Sequence, residues 1–127
     1  MKAAVYHGPG DLRVEDVPVR ELKDNEVKIR VKYCGICGTD IHIFHGDGGC
    51  CEVTPPLIPG HEFSGVVAEV GAGVTSVKPG DRVTGDPNDM CGECYFCKNG
   101  MQHFCKNNIG IGTTVDGGFA EYVIMRE

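Results

Sequence analysis

Apolar side chains recur at alternate positions along much of this chain, the two-residue period of a strand with one buried face. From Glu26 to Tyr33 (EVKIRVKY), Val27, Ile29 and Val31 point one way, while Lys28, Arg30 and Lys32 form a solvated face on the other. Met1 to Tyr6 and Leu12 to Val17 read as a strand pair across the turn His7-Gly8-Pro9-Gly10. Phe63 to Val70, Asp81 to Thr84 and Phe119 to Met125 read as further strands, with Gly71 to Gly80 a turn-rich connection. No segment carries a long 3.6-residue apolar period. One short helix is expected, from about Gly38 to Phe44, opening just after Cys37 with Thr39 or Asp40 in its first turn. Many short strands joined by glycine turns predict a mainly β fold, a partly closed β-barrel with one short helix.

Length and composition narrow the function classes. A chain of 127 residues suits one domain with a modest core. Twelve Lys and Arg against 18 Asp and Glu give a net charge of −6, a poor match to a nucleic-acid backbone. No run approaches the roughly 18 apolar residues of a membrane span. The opening MKAAVYHGPG lacks the apolar stretch of an export signal, so a soluble, cytoplasmic protein is expected.

Eight cysteines change the picture. Cytosolic thiols stay reduced, so regular spacing points to metal rather than disulfides. The segment from Asp86 to Asn108 has little strand character and contains Cys91, Cys94, Cys97 and Cys105 as C-x2-C-x2-C-x7-C. Four thiolates so spaced can close tetrahedrally around zinc, leaving no open coordination position. With so few apolar residues, the lobe would draw its folding energy from the ion. Disulfides, free thiols or an iron–sulfur cluster are the competing assignments.

A second constellation is Cys37, in Y-C-G-I-C-G-T-D-I-H, with His61-Glu62, in P-G-H-E-F. Thiolate, imidazole and carboxylate make a mixed ligand set of the kind that keeps one position open. At a helix start Cys37 would be favoured as thiolate. Asp40 would share its helix face and could orient an imidazole ligand. Adjacent residues on an ideal strand point to opposite faces, so His61 and Glu62 reach one ion only if the chain bends at Pro59-Gly60. His61 is therefore expected as a ligand, and Glu62 as a ligand or as its supporting neighbour.

Together, G-I-C-G-T-D-I-H, G-H-E-F-S-G-V-V-A-E-V-G, the cysteine lobe and D-G-G-F-A-E-Y resemble the zinc-dependent medium-chain alcohol and polyol dehydrogenases, which include sorbitol, threonine and butanediol dehydrogenases. The resemblance runs in order from Met1 to Glu127 and covers their GroES-like catalytic domain. It implies that Cys37, His61 and Glu62 match catalytic zinc ligands and that the four lobe cysteines match the structural zinc site. Thr39 matches the hydroxyl that contacts the substrate alcohol, His42 the end of a proton relay to solvent, and Asp40 the carboxylate supporting the histidine. It further implies hydride transfer from a secondary alcohol or polyol to NAD or NADP, in an enzyme expected to be a homo-oligomer.

The glycine fingerprint of a dinucleotide-binding domain is not among these residues; Gly71-Ala72-Gly73 is a lone glycine pair in a turn. The chain is thus expected to lack the nucleotide-binding domain and to be inactive alone. Other residues earn no role. Cys34 imitates a C-x2-C knuckle but is read as a packed thiol. Cys50 and Cys51 are read as loop residues bordering the substrate cleft. His7, His45 and His103 are expected at the surface or in packing, and Phe44 either lines the pocket or belongs to the core. The main rival is a zinc-stabilised protein-interaction module, which explains the quartet but leaves Cys37, Thr39, His61 and Glu62 without purpose. A chaperonin-like assembly module rests on fold analogy alone. A zinc-free quinone reductase is disfavoured by both cysteine groups.

Overall fold

The computed structural model describes residues 1–47 and 53–127. Cys50 and Cys51 lie outside them. The central strand is β3 (Glu26–Gly35), flanked by β4 (Glu62–Val70) and β8 (Tyr122–Arg126), with β5 (Arg82–Thr84) beyond β4. All three pairings are antiparallel. Alternation explains the centre, because register places Ile29 opposite both Val67 and Val123. Val27, Ile29, Phe63, Val67, Ile111 and Val123 form the buried core, with Phe63 and Val67 deepest.

The hairpin β1 (Lys2–Gly8) and β2 (Asp11–Asp16) forms its own two-stranded sheet. Isolated bridges from Ala3 to Ala120 and from Tyr6 to Leu57 stitch it to the chain leading into β8 and β4. Ala3, Val5 and Ile58 fill the space beneath. The four-stranded sheet itself is not closed by a continuous ladder. The sole foreseen helix is α1 (Gly38–His45).

Several expectations are revised. The cysteine lobe is not free of regular structure: β6 (Asn88–Asp89) pairs with β7 (Ile109–Gly110) at its neck. Inside it lie a second helix, α2 (Tyr95–Lys98), and a 3-10 turn at Gln102–Phe104. Such pieces are shorter than any sequence period can register. The last strand starts at Tyr122 because Phe119 and Ala120 are already engaged with β1, where the Ala4 N–H donates to the Phe119 carbonyl at 2.8 Å. On β3, Arg30 and Lys32 are exposed, but Lys28 is only 20 % exposed and pairs with Glu69 across to β4.

Glu26 is buried at the start of β3, where sequence alone gives no warning of a charged group. It accepts from both terminal nitrogens of the Arg20 guanidinium (2.5 and 2.9 Å) and from the Lys23 N–H (2.9 Å). The Arg20 hydrogen bonds hold its carboxyl below the ordinary glutamate value, against the opposing effect of burial. A lowered native pKa stabilises above the unfolded value and fades as pH falls through the native one. Glu26→Gln is therefore expected to cost about 1–2 kcal/mol at pH 7. The difference from the parent should narrow steadily below about pH 4.5 in denaturant melts.

Candidate metal centres

In the lobe, residues Cys91, Cys94, Cys97 and Cys105 converge so that their ligand atoms all lie within 4.8 Å of one another. Cys91 Sγ stands 3.9 Å from Cys97 Sγ and 3.5 Å from Cys105 Sγ. Zinc–sulfur bonds of about 2.3 Å at tetrahedral angles give sulfur–sulfur edges of about 3.8 Å, so the observed spacing fits the ion. The Cys97 backbone N–H first of all draws the Cys94 thiol down to about 6. Backbone N–H groups of Glu93 and Cys94 lower Cys91. Burial pushes Cys97 up to about 12. Protein groups alone thus favour a quartet of mixed protonation; a dication is what lets all four sulfurs be thiolates together.

The second group forms at the end of the β3–β4 pair. Cys37 is the N-cap of α1, at the end of a short link from β3. His61 precedes β4, and Glu62 opens it opposite Gly35. The geometric objection to neighbouring ligands resolves at Gly60, whose φ of +91° turns the chain before His61 and leaves that residue outside the strand. Cys37 Sγ and His61 Nε2 are 3.2 Å apart, a few tenths inside the edge of about 3.6 Å that zinc with sulfur and nitrogen ligands would set. The ligand atoms of Cys37, His61 and Glu62 also lie within 4.8 Å of one another. Glu62 is exposed while the other two are half-buried, so the group opens to solvent on the carboxylate side.

Asp40 is buried in the first turn of α1, but its contact is not the one expected. One carboxylate oxygen accepts the Cys37 N–H at 2.9 Å. The other, like Nδ1 of His61, is buried without a hydrogen-bond partner among the described residues. Asp40 therefore fastens Cys37, and no hydrogen bond joins it to the imidazole. Thr39 is half-buried beside it on α1. His42 is exposed on the next turn, 3.6 Å from Asp47.

The residues set aside fall where packing chemistry puts them. Burial pushes the Cys34 thiol up to about 11, so it stays protonated, and it belongs to neither group. His7 meets Glu15 at 2.8 Å, His45 packs edge-on against Phe44, and His103 packs on Phe104. Phe44 is exposed on α1 itself, outside both core clusters. A brace that sequence reasoning missed joins Arg126 of β8 to Asp89 of β6 and fixes the root of the lobe. The two are 37 residues apart, and no local pattern announces the pair.

This fold is shared with known proteins. Residues 23–127 match the alcohol dehydrogenase GroES-like domain family, and the chain belongs to it. It is 47% identical over 118 residues to the L-threonine 3-dehydrogenase of Francisella tularensis subsp. novicida, covering 92% of this chain and 34% of that protein. It superposes with a TM-score of 0.91 on a protein of Sinorhizobium meliloti 1021, assigned as a zinc-binding dehydrogenase and bound to NADP. That pair is 43% identical, over 98% of this chain and 36% of the other. Galactitol-1-phosphate dehydrogenase from Escherichia coli gives the same TM-score at 35% identity, over all of this chain and 36% of the enzyme. The chain thus spans about a third of the length of these relatives. Among the described residues, no helix is long and apolar enough to cross a membrane.

Proposed function

We propose that this chain supplies the zinc-binding part of the active site of an NAD(P)-dependent alcohol dehydrogenase acting on a secondary alcohol or polyol. The observation that carries the reading is the approach of Cys37 Sγ to His61 Nε2 at 3.2 Å with the Glu62 carboxylate alongside. An interaction module needs the four-cysteine lobe but has no use for this second, solvent-facing group. L-threonine and galactitol 1-phosphate, named in two relatives, both carry secondary hydroxyls.

Cys37, His61 and Glu62 would hold the catalytic ion, and Cys91, Cys94, Cys97 and Cys105 the structural one. Zinc bound at the first site supplies Lewis acidity to a substrate hydroxyl. The Thr39 hydroxyl would take the proton that the substrate gives up while handing its own on toward exposed His42, which would release one to water. Asp40 keeps Cys37 at the helix start, where the positive end of the helix favours its thiolate. A nicotinamide nucleotide, when bound beside this site, would supply the acceptor for the hydride. Reduced thiolate ligands support a cytoplasmic location.

Alone, the chain should keep the four-thiolate zinc and bind the three-ligand zinc weakly. After extensive dialysis its zinc content should stay between one and about 1.5 equivalents. It should also catalyse no NAD- or NADP-linked alcohol oxidation. A firm second equivalent or measurable turnover would contradict this division of labour.

A further inference from the structure

The place of His61 at the metal site depends on the backbone that carries it as well as on its ring contacts. A metal-bound histidine ordinarily donates its other ring N–H to an acceptor that sets the ring's orientation. Among the described residues, His61 Nδ1 and one Asp40 carboxylate oxygen are both buried without a partner, and the hydrogen bonds that fix His61 are those of the backbone before it.

That backbone is clamped. The segment from Asp116 to Phe119 crosses Ile58, Pro59 and Gly60 as a strap. The Ile58 N–H donates to Asp116 Oδ1 (3.0 Å), and the Gly117 N–H to the Ile58 carbonyl (2.7 Å). The Gly118 N–H donates to the Gly60 carbonyl (2.7 Å), and the Phe119 N–H to the Pro59 carbonyl (3.0 Å). A Cβ at position 117 would stand 2.1 Å from the Gly60 oxygen, 2.5 Å from Gly112 Cα and 2.8 Å from the Pro59 oxygen. One at position 112 would stand 2.5 Å from the same Gly60 oxygen. These neighbours are backbone, so no rotamer change relieves the overlap.

We propose that the Asp116–Phe119 strap is a positioning element for the metal site, and that Gly117 sets where His61 meets the ion. The inference rests on the reading of Cys37, His61 and Glu62 as ligands. An alanine at position 117 reaches ordinary contact once the strap and the Gly60 carbonyl, 2.1 Å from that Cβ, separate by roughly 1 Å, and His61 is the next residue. Metal–ligand distances tolerate about 0.2 Å. The four-cysteine lobe shares no backbone with the strap and should not respond.

The test is cobalt(II) titration of the purified protein, because four-thiolate and single-thiolate sites differ in absorption intensity and can be followed separately. Gly117→Ala should weaken the second site about 10- to 100-fold while leaving the quartet unchanged. Gly38→Ala, next to Cys37 in sequence but facing open space, should keep both sites. Second-site affinity within twofold of the parent in Gly117→Ala overturns the inference and leaves the metal reading intact. If Gly117→Ala loses the quartet too, the protein has unfolded and Asp116→Ala decides, since among the described residues that exposed side chain contributes its bond to Ile58. A several-fold loss at the second site with an intact quartet then upholds the strap, and no loss overturns it. A parent protein that takes up a single cobalt, in the quartet, overturns the metal reading and this inference together.

Discussion

Cys97→Ser is expected to strip the metal from the lobe and unfold residues 86–108 while the four-stranded sheet persists. The lobe has almost nothing else to order it: Cys97 is its one buried residue, α2 is four residues long, and β6 and β7 pair over two residues. Packing of Phe96 on Phe104, at 5.7 Å between ring centres, is worth only about 1 kcal/mol. Binding of a structural zinc contributes about 10–16 kcal/mol in comparable small sites, so the ion outweighs every contact it organises. Serine keeps the shape but gives no thiolate. The variant should lose one zinc equivalent and show rapid proteolysis between Cys91 and Cys105, with near-parent protection of β3 and β4 against hydrogen exchange. Retained zinc and an uncut lobe would show that something other than the ion holds it. Acid should imitate the substitution, because Cys97 at about 12 must give up its proton for zinc to bind, and each displaced proton weakens binding as pH falls.

Cys37→Ala is expected to spare the fold and remove the chemistry. Its backbone N–H still reaches Asp40, so α1 keeps its start, and only the thiol is lost. The second metal site should disappear from cobalt titrations with the quartet intact. In an enzyme carrying this domain, losing the metal's several kcal/mol of catalysis should lower kcat/KM by about 10³-fold or more. A Cys37→Ala enzyme within tenfold of its parent would mean the reaction does not depend on this site.

How much was readable beforehand followed the strength of each local signal. The alternation in EVKIRVKY located β3 because a buried strand face repeats every second residue. Cys91 to Cys105 announced a metal lobe because ligand spacing is itself a sequence pattern. Cys37, His61 and Glu62 were found by residue type, and Gly60 supplies the bend their adjacency required. Long-range contacts were invisible: Arg20 on buried Glu26, Arg126 on Asp89, and the strap over Gly60 join segments that show no shared period. Asp40 meets the Cys37 N–H, a contact that sequence spacing does not announce because it gives a helix face but not the atom a carboxylate meets.

The central claim is that Cys37, His61 and Glu62 share one metal ion. Anomalous diffraction at the zinc edge, from crystals grown with zinc in excess, measures this directly. The account predicts two peaks, one inside the cysteine quartet and one within bonding distance of Cys37 Sγ and His61 Nε2. A single peak in the quartet, with the thiol and imidazole turned away from each other, would contradict it.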